Sequence, residues 1–284
     1  MTIFHVGFPK AASSTLQYNV FPHLEDYSFF NPVLHAGHED MDEDPVFVEI
    51  MKLLYEGNEE YDPANIRRLF EAHEGQEQII SSEGFTGYDG NMGLRAERAV
   101  EAFSGQGAPK VLFVLRNQWV SLRSFYKQNA ARTHLVPWHF DHVEWSQWLW
   151  YHTLPGHRYT GVLPMFNYEP IIRYYETLFG RENVNVLLFE KLVRSPLEFA
   201  EDLGEVLRVD PANLQPLLSN DRANQGPKTA KKRVLPFFPA TLLGTADEMA
   251  FGKYEEGLRS LYAEGNHALA DRYDLPLADL NYPM

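Results

Sequence analysis

The amino-acid sequence predicts an α/β fold: a doubly wound, mostly parallel sheet flanked by helices. Short β-branched and aromatic runs recur along the chain, and longer amphipathic segments lie between them. Such alternation is the pattern of a parallel sheet covered on both faces. The scale agrees. The chain has 284 residues, 44% of them hydrophobic and 23% charged, enough for one domain with a core of ordinary size. A single domain over 1–284 is expected, with its core in 1–207 and a loop and helices in 208–284.

The strands are expected at Ile3–Val6, Gln78–Ser81, Val111–Leu115 and Val184–Phe189, apolar runs with turn-prone flanks. Helices are expected where apolar residues recur every three or four positions: Asp44–Tyr55, Asn65–His73, Leu94–Phe103, Val120–Arg132, Glu169–Phe179 and Pro196–Leu207. Ser195-Pro196 reads as an N-cap followed by proline at the first helical position. Thr133 to Asp141, rich in His, Pro and aromatics, and Ser219 to Pro239, polar then basic, read as long surface loops.

Composition excludes several classes. There is no cysteine, so disulfide scaffolds, thiol nucleophiles and thiolate metal sites are out. Lys and Arg number 25 against 39 Asp and Glu, a formal charge of −14. That balance opposes general binding to nucleic acid or anionic membrane. The opening residues carry no basic, apolar leader. The apolar stretch Leu235 to Leu243 is broken by two prolines and falls far short of the roughly 20 residues a membrane helix needs. A cytoplasmic protein without a membrane span is expected.

Two segments carry the chemistry. The first strand runs into Gly7-Phe8-Pro9-Lys10-Ala11-Ala12-Ser13-Ser14-Thr15-Leu16-Gln17, after which a helix is expected. A loop entering a helix presents free N–H groups and the positive end of the dipole, which suits an oxyanion. Ser13, Ser14 and Thr15 add hydroxyls, and Lys10 a full charge. An ordinary strand–helix turn with a serine cap is the competing reading. The loop is not a Walker A motif, because Lys10 precedes the small residues. The strand Val111–Leu115 ends in Arg116 rather than a magnesium-binding Asp, which disfavours a kinase or ATPase. Arg116 at that strand's carboxyl end and Ser124, about two helical turns later, form a second potential phosphate grip. A surface ion pair is the alternative.

Together these segments resemble the sulfotransferases that use 3′-phosphoadenosine 5′-phosphosulfate (PAPS), of bacterial and carbohydrate type. Pro9-Lys10-Ala11-Ala12-Ser13-Ser14-Thr15-Leu16 is similar to the family's 5′-phosphosulfate loop, with Ala12 where the family usually has glycine. Arg116-Asn117 with Ser124 eight residues after the Arg is similar to its 3′-phosphate motif. Phe179 to Pro196 is similar to the family's last strand and following helix. The resemblance runs from Ile3 to about Leu207. It implies a P-loop-like fold and an enzyme that moves a sulfuryl group from PAPS to a hydroxyl without a metal, leaving 3′-phosphoadenosine 5′-phosphate (PAP). It implies that Lys10 stabilises the departing oxygen, that Ala12, Ser13, Ser14 and Thr15 line the 5′-phosphate, and that Arg116 and Ser124 hold the 3′-phosphate.

The acceptor hydroxyl needs a base, and family members use His or Glu. Glu83, in Ile79-Ile80-Ser81-Ser82-Glu83-Gly84, stands at a strand's expected carboxyl end; His35 and His38 are its rivals. A strand-end Glu that merely pairs with an Arg is the bland alternative. His134, His139 and His142 lack a metal-binding pattern. By resemblance, the basic run containing Arg222, Lys228, Lys231, Lys232 and Arg233 covers the 3′-phosphate, although it departs from the family's Arg-Lys-Gly pattern; otherwise it is a solvated charge run. Trp145, Trp148 and Leu149, at helical spacing, read as core packing. An acceptor hydroxyl on a neutral or modestly charged carbohydrate, glycolipid or metabolite fits the acidic chain. A phosphotransferase and a non-catalytic nucleotide-binding relative are the remaining readings.

Overall fold

The computed structural model describes residues 1–31, 45–55, 60–71, 77–86, 92–103, 109–129, 145–154, 156, 161–219 and 242–284. The chain divides into two compact units, residues 1–115 with 171–224 and residues 116–170 with 225–284.

The first unit is built on a parallel sheet of five strands among the described residues, in the order β2-β3-β1-β4-β5. β1 (Thr2–His5), β3 (Glu77–Ser81), β4 (Lys110–Leu115) and β5 (Val184–Leu188) are the four expected strands, each within a residue of its sequence boundary. β2 (Tyr27–Phe30) was not expected. It pairs only with β3, at the edge of the sheet, and only Tyr27 in it is buried. An edge strand has one covered side, so it need not carry the continuous apolar run of an interior strand. β1 and β4 do carry it: Ile3, Phe4 and every residue from Val111 to Leu115 are buried. The register sets Ile3, Phe4 and His5 opposite Lys110, Val111 and Leu112. Neighbouring β1 and β4 thus end on one rim, where ligands bind in open parallel sheets.

Around the sheet the chain forms α1 (Ser13–Thr15), continued by a π-helical turn at Leu16–Val20, then α2 (Pro45–Tyr55), α3 (Pro63–Glu71) and α4 (Met92–Phe103). Phe4 is the centre of the core. It meets Phe85 and Phe103 edge-on with ring centroids 5.4 and 5.0 Å apart, geometry that favours aromatic pairs beyond their area.

The second unit contains α5 (Gln118–Asn129) and α6 (Trp145–Thr153). α7 (Tyr168–Phe179) carries the chain back to the first unit, followed by α8 (Phe189–Arg194), α9 (Pro196–Leu207) and α10 (Pro211–Leu218). Ser195 holds the cap position of α9 with Pro196 at N1, but its side chain makes no capping bond; its φ of −141° and ψ of 67° depart from the extended geometry usual at a cap. The long α11 (Leu242–Tyr273) lies in the second unit. Trp145, Trp148 and Leu149 are buried as expected, and the two indoles stack with centroids 5.4 Å apart. Among the described residues no helix is long and apolar enough to cross a membrane.

Candidate active site

The helix after β1 starts earlier than the sequence suggests, at Ser13 rather than beyond Gln17. Two residues shape the entry. Lys10 (φ 69°) and Ala12 (φ 65°, ψ 8°) both adopt the left-handed conformation. Ala12 has the geometry for which glycine is the natural choice, and it reaches it with a Cβ. The left-handed region costs an L-residue roughly 1–2 kcal/mol, against roughly 0.5–1 kcal/mol for the extra unfolded freedom of glycine. Ala12→Gly is therefore expected to stabilise the protein by about 0.5–1 kcal/mol, raising the midpoint of thermal unfolding by about 2 °C. A lower midpoint in a calorimetric scan contradicts the strain assigned to Ala12.

Gly7 governs how the loop meets its surroundings. A Cβ at this position would stand 2.5 Å from Ser13 Oγ and 3.3 Å from Glu83 Cγ. Ser13 and Glu83, distant in sequence, thus converge on the same few ångströms of backbone. Ser13 is buried, and its Oγ has no hydrogen-bond partner. An orphaned buried hydroxyl is costly unless a ligand completes it, and here it sits at the first residue of a helix. Ser14 is exposed and Thr15 half-buried.

Glu83 begins a 3-10 turn (Glu83–Phe85) just after β3. Many bonds fix that turn. Ser82 Oγ accepts from Gly84 N at 3.0 Å, Arg95 donates to Gly84 O at 2.6 Å, and Tyr175 Oη donates to Phe85 O at 2.9 Å. Thr86 Oγ1 donates to Gly7 O at 2.9 Å, tying the turn to the loop. Arg95 is itself buried, donates to Leu54 O and lies over the Tyr55 ring at 5.2 Å. Sequence reasoning missed Arg95 and Tyr175, because each serves through a backbone carbonyl and no local pattern marks it.

Below the loop lies a buried polar chain. His5 Nδ1 is 2.7 Å from Ser81 Oγ, which accepts from Gln17 Nε2 at 2.8 Å. Burial pushes the His5 pKa down to about 3, so the ring is neutral at physiological pH. Through Ser81 it is linked to Gln17 in the π-helical turn.

In the second unit, Arg116 follows the last residue of β4, is half-buried, and has its carbonyl held by Tyr168 Oη at 2.7 Å. Ser124 is half-buried on α5. Asn117 Oδ1 accepts from Trp119 N at 3.0 Å and Val120 N at 3.4 Å, capping α5. Arg222 and Lys228 lie outside the described residues, as do Lys231, Lys232, Arg233, His35, His38, His134, His139 and His142. Among the described residues no group of three His, Asp or Glu side chains gathers closely enough to hold a metal ion.

The fold is that of a sulfotransferase. The crystal structure of the sulfotransferase from Alicyclobacillus acidocaldarius matches 98% of this chain and 97% of its own length, with a TM-score of 0.57 and 19% sequence identity. Mouse sulfotransferase SULT7A1 complexed with PAP matches 92% of this chain and 87% of its own, with a TM-score of 0.45 and 14% identity. No protein-family model matches the sequence, and no curated protein does.

Proposed function

We propose that the protein is a PAPS-dependent sulfotransferase acting on the hydroxyl of a carbohydrate, glycolipid or small metabolite. The observation that carries this reading is the orphaned Ser13 Oγ at a helix start, with Glu83 brought to the same glycine. A donor hydroxyl and free helical N–H groups suit the 5′-phosphate. In this reading Lys10, Ala12, Ser13, Ser14 and Thr15 line the phosphosulfate, and Arg116 and Ser124 take the 3′-phosphate. Arg222 and Lys228 add charge to that phosphate.

Sulfuryl transfer is an in-line displacement akin to phosphoryl transfer. The acceptor oxygen forms its bond to sulfur as the bond from sulfur to the bridging oxygen breaks. The acceptor proton passes to Glu83, and the electron pair stays on the PAP phosphate, where Lys10 meets it. Ala12 adopts the left-handed conformation that glycine enters most readily, so the alanine does not prevent that loop geometry.

Titration of the protein with PAP tests the reading. The unaltered chain is expected to bind. Arg116→Ala is expected to bind about ten- to a hundredfold more weakly, the worth of a charge-assisted hydrogen bond. Absence of binding by the unaltered chain sinks the proposal.

A further inference from the structure

Arg116 and its neighbour Asn117 are each held, and the hold on Asn117 comes from a distant stretch of chain. After α11 the chain reverses at Asp274 (φ 52°) and again at Asn281 (φ 57°), residue types that tolerate the left-handed conformation. Leu277 and Tyr282 are buried, and Tyr282 N donates to Leu277 O at 3.0 Å, closing the turn. The outward carbonyls of this turn are taken by Asn117: its Nδ2 donates to Leu280 O at 3.1 Å and to Asn281 O at 2.6 Å. A second clamp lies beside it. Asn266 Nδ2 donates to Pro283 O at 2.7 Å, and Gln118 Nε2 donates to Asn266 Oδ1 at 2.7 Å. Both functions of the Asn117 amide are thus engaged, the oxygen on the start of α5 and the nitrogen on residues 275–284.

We propose that Asn117 is a positioning residue for Arg116, locked by residues 275–284, and that this segment thereby sets the preference for a 3′-phosphorylated nucleotide. The inference rests on the assignment of Arg116 to the 3′-phosphate. Tyr168 Oη fixes the Arg116 carbonyl, and the Asn117 side chain ties the start of α5 to residues 280 and 281. With the backbone set on the carboxyl side of Arg116, the guanidinium explores fewer directions, and less ordering is required when it grips a phosphate. The coupling is reciprocal: a ligand that favours the ordered Arg116 also favours the docked segment.

Asn117→Ser separates positioning from folding. Serine is a good helix cap, so the start of α5 is retained, but its hydroxyl is too short to serve both carbonyls. The full chain is titrated with PAP and with adenosine 5′-phosphosulfate, which lacks the 3′-phosphate. The expected result is about tenfold weaker PAP binding, the worth of one or two neutral hydrogen bonds, with adenosine 5′-phosphosulfate binding unchanged. Hydrogen exchange at the Tyr282 amide is expected to slow with PAP in the unaltered chain and not in the variant. Equal losses for both nucleotides, or no loss for either, overturn the inference. If Asn117→Ser does not fold, Tyr168→Phe, which removes only the hydroxyl on the Arg116 carbonyl, is read by the same ratio. Failure of the unaltered chain to prefer PAP removes the underlying functional reading instead.

Discussion

Lys10→Ala is expected to lower sulfuryl transfer by about a hundredfold or more, about 3 kcal/mol of transition-state stabilisation. In the proposed reaction the ammonium acts where charge develops, on the oxygen bridging sulfur and phosphorus. Its loss therefore weighs more on turnover than on affinity for PAP. The backbone makes the substitution clean. Lys10 sits at φ 69°, and alanine bears the same left-handed cost as lysine, so the substitution adds no backbone strain to the loop. Glycine here would relax the loop and confuse the comparison. The measurement is the rate of PAP release from PAPS across a panel of hydroxyl acceptors, beside PAP affinity by titration. A variant that retains the full rate excludes Lys10 from the reaction. Arginine should restore little, since a planar fork replaces a compact point charge on a flexible stem.

Much of this was legible in the sequence, and the gaps have physical causes. Interior strands β1 and β4 declare themselves through buried apolar runs, Ile3-Phe4 in one and Val111 to Leu115 in the other. β2 does not, because an edge strand with one buried residue looks like any short aromatic run. Helices were expected in 208–284, but the span of α11 was hidden by its own composition. It carries Gly244, Gly252, Gly257 and Gly265 within 32 residues, and glycine is a poor helix former. At Gly265 the reason is steric, for a Cβ there would stand 3.0 Å from Glu169 Cβ and 3.2 Å from Asn167 Oδ1.

The site divides the same way. Lys10, Ser13, Ser14, Thr15 and Glu83 could be singled out because they follow strands that pattern reveals. Nothing local showed that Gly7 is where Ser13 and Glu83 meet, since that depends on β1 and β3 being neighbours in register, with His5 opposite Ser81. Nor could spacing reveal that Asn117 serves residues 163 and 164 positions away: its place beside Arg116 was visible and its partners were not.

Glu83→Gln carries the second large expectation: transfer falls by about a hundred- to ten-thousandfold while PAP binding stays intact. The amide matches the carboxylate in shape but has no basic oxygen to receive the acceptor's proton. The turn should survive, because several of the bonds that hold it run through neighbouring residues. Gly84 N is capped by Ser82, Gly84 O and Phe85 O are held by Arg95 and Tyr175, and Thr86 is bonded to Gly7 O. Contact with the loop is preserved too, since the Cγ that faces Gly7 is common to both side chains. A melting temperature within a degree or so of the unaltered protein, equal PAP affinity and lost turnover together identify the base. Turnover that persists in Glu83→Gln shifts that role to His35 or His38, and alanine at each histidine then decides between them. Glu83 is the first to test because its Cγ lies close to Gly7, on the loop that carries Lys10.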